Sequence, residues 1–280
     1  DDFFEMKTYK HLYPQITAFE NLFQAFRQAA RGKRKKADVA GFEYHLEPNL
    51  FALQDELHRQ IYQPGAYYNF RIYDPKPRLI SAAPFRDRVV HHALCNVIEP
   101  IFERRFIHDS YACRVGKGTH AAVDRCQAFA RRYPYVLQCD IQHFFPSMDI
   151  AVLRAELARM IADEQVIWLC DQILTSGAEV HRAEHAPQFF PGDNLFAATR
   201  PTGLPIGNLT SQFWANVYLN PLDQFIKREL KCKAYQRYVD DFLFFAPDKC
   251  MLHRWRAAVI DFAAEQRLRL HEQRAVVYPT

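Results

Sequence analysis

Two adjacent aspartates lie between apolar segments, and this pair constrains the fold more than any other feature of the chain. Tyr238-Val239-Asp240-Asp241 runs directly into Phe242-Leu243-Phe244-Phe245, which predicts a β-hairpin with both carboxylates at its tip. Like charges side by side repel each other, and neither is buried cheaply. One interpretation is a solvated turn, since aspartate is common in turns. The other is a divalent-cation site, since Mg²⁺ prefers oxygen ligands.

The composition is that of a globular protein with a mild basic excess. The chain has 280 residues, 49% of them hydrophobic, and a formal net charge of +4. That length suffices for one large domain or two subdomains, and the charge fits a polyanionic partner without requiring one. The seven cysteines form no CxxC pair, which argues against a disulfide framework or a zinc site and favours a reducing compartment. The sequence has neither a membrane-span pattern nor a signal-peptide pattern, so we expect a cytoplasmic protein with no membrane partner.

Hydrophobic periodicity predicts helices and strands in mixed order. Apolar spacing of three and four indicates helices over residues 16–31, 49–62, 87–106, 119–133, 209–230 and 252–266, and a helix-rich stretch over 150–174. Alternation indicates a strand pair over 67–80 and resumes over 268–271, and a short run rich in β-forming residues indicates a core strand over 135–141. Residues 177–200 have no clear pattern. We therefore expect an α+β fold with helices packed on one face of an antiparallel sheet.

The metal interpretation requires another carboxylate on a neighbouring strand, because one adjacent pair cannot hold two ions. Asp140 is the best candidate, since it ends an apolar segment and would lie at the edge of the sheet. Asp149 is better interpreted as the N-cap of the following helix. About a hundred residues separate Asp140 from Asp240, which allows a helical excursion and a return to an adjacent strand.

Three ordered segments resemble the palm motifs of reverse transcriptases: residues 140–145 (DIQHFF), 203–212 (GLPIGNLTSQ) and 238–241 (YVDD). Upstream, 76–80 (KPRLI) and 86–90 (RDRVV) resemble the fingers motifs of that family, and 110–114 and 116–120 resemble the segment that follows in prokaryotic members. The resemblance extends from about residue 45 to residue 275. It implies a right-hand polymerase with fingers and palm, in which helices back an antiparallel palm sheet.

The second of these palm segments narrows the resemblance. Most reverse transcriptases have Gln before its glycine and end it in Ser-Pro, whereas this chain has Ile206-Gly207-Asn208-Leu209-Thr210-Ser211-Gln212. Together with 86–92 (RDRVVHH) and 216–227 (NVYLNPLDQFIK), this form is similar to the reverse transcriptases of diversity-generating retroelements. Those enzymes belong to the prokaryotic superfamily that includes group II intron and retron enzymes. They copy a template RNA while misincorporating opposite adenines.

The resemblance implies a catalytic and metal-binding group. Asp140, Asp240 and Asp241 would be catalytic. Together with Ile141 they would hold Mg²⁺, with Mn²⁺ as an alternative ion. Asp240 and Asp241 would not be equivalent, because successive strand side chains point to opposite faces.

The resemblance also implies a substrate-binding group. Its members are Lys76, Arg78, Phe145, Ile206, Gly207, Ser211 and Gln212. Arg78 and Lys76 would hold the incoming triphosphate, since a guanidinium makes paired, charge-assisted bonds to phosphate. Phe145 would exclude a ribose 2′-OH. Lys76 as a solvated turn residue and Phe145 as a core residue stay open.

Ile206 would occupy a position at which most reverse transcriptases have Gln, whose side chain forms a hydrogen bond near the nascent base pair. Replacing a polar contact with an aliphatic one removes a discriminating bond, which is a physical hypothesis for low fidelity.

We expect residues 1–135 to form the fingers with N-terminal helices, with 90–135 contributing to the palm, and 136–280 to form the palm. Reverse transcriptases continue past 268–271 into a thumb, so we expect the thumb to be absent or truncated in a sequence that begins Asp1-Asp2 and ends at Thr280. The implied partners are template RNA, primer and cDNA, dNTPs and a small basic accessory protein.

Two alternatives stay open. A phage-defence reverse transcriptase would share the palm yet make untemplated or repetitive DNA. A nucleic-acid-binding scaffold would keep the fold without polymerising, although the intact Asp140, Asp240 and Asp241 argue against it.

Overall fold

Each of two units is assembled from three separate segments of the chain. Our computed structural model describes residues 8–73, 77–178, 180 and 186–280. Unit 1 comprises Asp1–Arg104, Ile150–Glu184 and Pro201–Trp214, and unit 2 comprises Arg105–Asp149, His185–Arg200 and Ala215–Thr280. The expected division at residue 135 concerns functional subdomains and stays a prediction.

Unit 1 is mainly helical. Its helices are α1 (Tyr13–Thr17), α2 (Phe19–Ala30), α3 (Ala37–Tyr44), α4 (Leu46–His58), α5 (Phe85–Glu103), α8 (Ile150–Ala158), α9 (Glu164–Gly177) and the start of α10 (Leu209–Arg228). Helix α2 packs against α5 because Leu22, Ala25, Phe26 and Ala29 recur at helical spacing and are all buried. Burying a side chain such as Leu22 stabilises the fold by about 1.5–3 kcal/mol.

A two-stranded hairpin completes unit 1. Strands β1 (Tyr68–Ile72) and β2 (Arg78–Ala82) are antiparallel, with Ile72 opposite Arg78. Every residue of β1 is exposed. The other edge of β2 is covered, because the Ser81 amide donates to the Ile206 carbonyl at 2.8 Å.

Unit 2 is built on a four-stranded antiparallel sheet in the order β4-β5-β3-β6. The strands are β3 (Tyr135–Asp140), β4 (Tyr235–Tyr238), β5 (Asp241–Ala246) and β6 (Val276–Pro279). The helical elements are α6 (Thr119–Ala130), α7 (Phe144–Ser147), a 3₁₀ turn (Leu195–Thr199), the rest of α10 and α11 (Lys249–Glu265).

Helices cover both faces of this sheet, whereas the sequence predicted one. Phe129 of α6 clusters with Val136 and Phe245 on one face. Trp255 of α11 lies 6.4 Å from Phe244, ring centre to ring centre, and alternation along β5 places Phe244 on the opposite face from Phe245. The face that carries α6 is therefore covered at the far end of the strands, where β5 ends.

Helix α3 and strand β6 are among the elements that the sequence did not predict. Helix α3 is short and has no clear apolar face, with Val39 as its one residue counted as buried. Strand β6 contains Pro279, and proline argues against a central strand; β6 is an edge strand that pairs with β3. The alternating segment 268–271 forms a single bridge, between Leu270 and Ile141.

Candidate active site

Strand register places Asp140 directly opposite Asp241. The two are Cα partners in the antiparallel β3–β5 ladder. Directly opposite residues share a face, with Cβ atoms about 4.5–5.5 Å apart. Asp140 is the last residue of β3 and Asp241 the first of β5, so both lie at one end of the sheet. β3 is an interior strand, so Asp140 lies at the border of the sheet because its strand ends there.

Residues in adjacent rows of the sheet alternate between polar and buried. Tyr238 pairs with Asp241, so the end row consists of Tyr238, Asp241 and Asp140. The next row points to the opposite face and consists of Arg237, Phe242 and Cys139, each 0% exposed. The carboxylates therefore stand on an accessible polar row directly beside a fully buried one.

Val239 and Asp240 form a two-residue turn between β4 and β5, confirming the predicted hairpin. Val239 has φ of 57°, a region that β-branched residues rarely occupy. Of the two central residues it alone has a positive φ. Such strain costs on the order of 1–3 kcal/mol and persists only where the surroundings enforce it. Asp240 is half-buried in this turn and Asp241 is exposed in the strand.

A buried arginine, which the sequence analysis missed, contacts this strained turn. The Arg237 and Asp223 side chains are each 0% exposed. Arg237 donates from Nη2 to Asp223 Oδ2 at 2.7 Å and from Nε to Asp223 Oδ1 at 2.9 Å. From Nη1 it donates to the Val239 carbonyl at 3.0 Å and to Asn216 Oδ1 at 3.1 Å. One side chain thus joins helix α10 to the turn.

The charge state of this cluster follows from its neighbours. Burial acts to lower the pKa of Arg237, but the carboxylate of Asp223 and, more weakly, that of Asp240 outweigh it, so the pKa is raised. Burial first, and Asp223 second, raise the pKa of Tyr235 well above its usual value. The Tyr235 phenol therefore keeps its proton and donates to Asp223 Oδ1 at 2.7 Å.

Asp140 is held from the other side by the segment that precedes β6. The His271 amide donates to the Asp140 carbonyl at 2.8 Å, and the Gln142 amide donates to the Arg269 carbonyl at 2.7 Å. Arg274 Nη1 lies 3.4 Å from Asp140 Oδ2. This cation offsets part of the negative charge that Asp140 and Asp241 place together.

The donor set suits Mg²⁺ but does not form a complete cage. Carboxylate oxygens are hard ligands, and polymerase sites hold Mg²⁺ through one or two carboxylates plus substrate phosphates. Among the described residues, no group of three or more His, Cys, Asp or Glu side chains is arranged to hold a metal by itself. The pair Asp140–Asp241, with Asp240 one residue away, fits the substrate-completed type of site.

The other residues predicted for unit 2 follow directly after β3. The Ile141 side chain is buried and has no donor atom, so only its main chain could serve a metal. Phe145 is half-buried in α7, whereas Phe144 is buried and packs edge-on against Tyr218. Phe145 is therefore partly accessible and is not a fully buried core residue.

Most of the predicted substrate-binding residues lie in unit 1. Ile206 is half-buried, Gly207, Gln212 and Arg78 are exposed, and Ser211 is buried and donates to the Pro205 carbonyl at 2.7 Å. Arg78 begins β2, the strand to which Ile206 is bonded. Lys76 lies outside the described residues.

Asn208, another residue that the sequence analysis did not single out, fixes the Ile206-Gly207 loop. Its amide nitrogen donates to the Ser81 carbonyl at 2.8 Å, and its oxygen accepts from the Ala83 amide at 3.0 Å. Gly207 has φ of +114°, and a Cβ there would lie 2.9 Å from Ile80 Cγ2. The loop therefore requires glycine both for its conformation and for its close approach to β2.

Comparison with known proteins decides the family. A sequence model described as "Reverse transcriptase (RNA-dependent DNA polymerase)" matches residues 73–278. The chain belongs to the reverse transcriptase family. It is 28% identical over 199 residues to "Protein YkfC" of Escherichia coli (strain K12), covering 68% of this chain and 48% of that protein. It is 26% identical over 152 residues to "Nuclear intron maturase 2, mitochondrial" of Arabidopsis thaliana, covering 49% of this chain and 21% of that protein. The chain thus spans less than half the length of these relatives.

A solved structure shows the same fold. The apo telomerase from Candida tropicalis aligns with a TM-score of 0.54 at 11% identity, covering 78% of this reverse transcriptase chain and 45% of that one. The expected fold class, α+β with an antiparallel palm sheet backed by helices, is confirmed. Reverse transcriptases as a family act on RNA template, primer and nucleotides with divalent ions. No helix among the described residues is both long and apolar enough to traverse a bilayer.

Proposed function

We propose that this protein is an RNA-directed DNA polymerase that copies a template RNA into cDNA by two-metal nucleotidyl transfer. The observation that carries the proposal is the register of the palm sheet, which pairs Asp140 with Asp241 and puts Asp240 in the adjoining turn. A solvated turn explains Asp240 and Asp241 but does not explain a third carboxylate opposite them. Like charges placed together are a cost to the fold, and a bound cation would offset it.

Each of the predicted residues would have a distinct task. Divalent ions held there would lower the pKa of the primer 3′-OH and stabilise charge on the phosphoryl group. Asp140 and Asp240 would bind these ions, with Asp241 as a weaker ligand or electrostatic support. Arg78 and Lys76 would bind the triphosphate of the incoming nucleotide. Phe145 would pack against the deoxyribose and exclude a 2′-OH.

Within the family, the Ile206 loop supports an error-prone enzyme of the diversity-generating retroelement type. Asn208 and Gly207 fix its main chain against β2, so substitution at position 206 changes the side chain presented without changing the loop. An aliphatic side chain offers no hydrogen bond to a base or sugar, and lost polar readout costs selectivity. Ser211 and Gln212 follow the loop in the first turn of α10: Ser211 donates to the Pro205 carbonyl of the loop, and Gln212 is exposed.

Primer extension by the full-length protein on a defined RNA rich in adenines tests both the polymerase activity and the proposed errors at adenines. With Mg²⁺ and the four dNTPs, we expect a templated cDNA with errors concentrated opposite adenine. Ile206→Gln should extend at a similar rate with fewer such errors. If Ile206→Gln leaves the error rate at adenines unchanged, the account of low fidelity fails and the polymerase function stands.

Template dependence separates the alternatives. Products whose sequence ignores the RNA would indicate the phage-defence class of reverse transcriptase. Retained RNA binding with no extension by the wild type would indicate a non-enzymatic scaffold. A small basic accessory protein, as in the retroelement class, would be a further partner to co-express in this assay.

A further inference from the structure

The guanidinium of Arg237 is both fully buried and extensively hydrogen-bonded. All three of its nitrogens donate hydrogen bonds, although the side chain has no exposed surface. A buried arginine is costly unless it is fully paired. Asp223 compensates the charge and accepts from Nε and Nη2. The Nη1 donors need acceptors of their own, and these are Asn216 Oδ1 and the Val239 carbonyl.

The base from which this side chain extends is itself fixed. The Arg237 amide donates to the Asp109 carbonyl at 2.9 Å, and the Arg237 carbonyl accepts from the Tyr111 amide at 3.0 Å. On its other edge β4 pairs with β5. Strand β4 is therefore held on both edges, and the main-chain groups of Arg237 bond to residues 109 and 111.

The far end of the side chain is fixed as well. Asp223 receives two donors from Arg237 and a third from the Tyr235 hydroxyl, and it lies on helix α10. The Asn216 side chain, also on α10, accepts from Arg237 and donates to the Ala112 carbonyl at 3.1 Å. The guanidinium thus has one orientation, and in that orientation Nη1 meets the Val239 carbonyl.

The bond from Arg237 to the Val239 carbonyl acts on a strained part of the backbone. Val239 occupies the left-handed region, which a valine leaves unless it is held there. Its carbonyl belongs to the peptide that leads into Asp240. Holding this carbonyl orients the next peptide and sets where the Asp240 carboxylate stands.

We infer that Arg237, locked by Asp223, is a positioning residue that holds the Val239-Asp240 turn and so aims the Asp240 carboxylate, a role that rests on the polymerase function proposed above. Arg237 touches no substrate in this role and acts through the turn. Mg²⁺ requires near-ideal octahedral geometry, so a turn free to relax would misplace one of its ligands. Positioning groups around metal ligands typically contribute 10–100-fold to metal affinity or activity.

The test must separate positioning from simple stability. Arg237→Met alone leaves Asp223 buried without its cation and will lower the melting midpoint. The double variant Asp223→Leu/Arg237→Met replaces the whole pair with apolar side chains. Proteins often keep their stability when both members of a buried ion pair are replaced in this way. We expect its melting midpoint to lie within about 4 °C of wild type. Arg267→Met is the matched control, because it removes an Arg–Asp pair of the same unit (2.6 Å to Asp149) that does not contact the turn.

Hydrogen exchange and metal affinity then report on the turn itself. In the folded double variant we expect amide exchange over residues 238–241 to accelerate at least tenfold, Mn²⁺ affinity measured by electron paramagnetic resonance to weaken about tenfold, and kcat to fall by at least that factor. Arg267→Met should leave all three unchanged. A folded double variant with wild-type exchange and wild-type Mn²⁺ affinity would overturn the positioning role.

A conservative variant covers failure of the double variant to fold. Arg237→Lys keeps the charge, but a single ammonium cannot serve Asp223, Asn216 and Val239 in one geometry. It should fold with accelerated exchange at the turn, and wild-type exchange in Arg237→Lys would again overturn the role. If the wild-type protein neither binds Mn²⁺ nor extends primers, the proposed function fails instead, and the exchange data still decide whether Arg237 holds the turn.

Discussion

Two buried polar side chains, one in each unit, are accommodated in opposite ways. In unit 2, Arg237 is charged, has no exposed surface and is bonded through all three nitrogens. In unit 1, His91 on α5 is 1% exposed, and neither ring nitrogen has a hydrogen-bond partner among the described residues. Burial first, then the charges of His92 and Arg88, lower the pKa of His91 to about 3.

The two kinds of burial have different consequences for the protein. A paired buried charge fixes geometry, which a metal site needs, but it makes the fold depend on both partners. A neutral buried histidine fixes nothing and instead makes stability depend on pH. The comparison therefore predicts that unit 2 is sensitive to mutation at its pair and that unit 1 is sensitive to acid.

The largest expected effect is the loss of one partner of the buried pair. Arg237→Met should reduce the free energy of unfolding by about 3–5 kcal/mol, because Asp223 would be left buried without a cation. Urea denaturation followed by circular dichroism measures this difference. The control Arg267→Met should cost less, because that arginine is 35% exposed and water can replace part of its pairing. Equal losses in the two variants would break the contrast drawn for unit 2.

The second effect is acid sensitivity in unit 1. The folded pKa of His91 is lower than its unfolded value of 6.5, so the contribution is fully present above pH 6.5 and is lost as the pH falls toward 3. Between pH 7 and pH 4 the loss should be on the order of 3 kcal/mol. In His91→Leu the dependence of unfolding free energy on pH should flatten over this window. Part will persist, since burial and Lys33 also lower the pKa of His92, to about 4.

A smaller effect is expected at Gly207, where the loop is held against β2 by close packing and not by an ion pair. Gly207→Ala should destabilise the protein by about 1–3 kcal/mol, because alanine is strained at a positive φ and its Cβ would lie 2.9 Å from Ile80 Cγ2. Gly41→Ala is the matched control, since a Cβ there meets nothing within 4 Å and alanine is favoured inside helix α3 by about 0.5–1 kcal/mol. Opposite signs in the two melting shifts are expected. A stabilising Gly207→Ala would contradict the close packing of the loop on β2.

Much of the fold was predictable because its elements have clear periodicity. Helix α2, strand β3 and the Asp240-Asp241 hairpin all appear where the apolar spacing predicts them. Helix α3 did not, because its eight residues carry little amphipathic signal. Strand β6 did not either, since it contains a proline.

The candidate site was predictable only in part. The apolar run over 135–141 predicted a strand that ends near Asp140, but the register that sets Asp140 against Asp241 depends on pairing across about a hundred residues. Arg237 was missed because a lone arginine in a short strand resembles a solvated residue. Its partner Asp223 lies 14 residues earlier on a helix, and no local pattern links them.

The central claim is that the row of Asp140 and Asp241, with Asp240 in the adjoining turn, is the active site of an RNA-directed DNA polymerase. Its most direct test is primer extension on a defined RNA with Mg²⁺, comparing the full-length wild type with Asp240→Asn. Asparagine keeps the shape of the side chain and removes the charge, so folding and RNA binding should persist. We predict templated cDNA from the wild type and a loss of rate of at least about a thousandfold in the variant. Wild-type extension by Asp240→Asn would contradict the account.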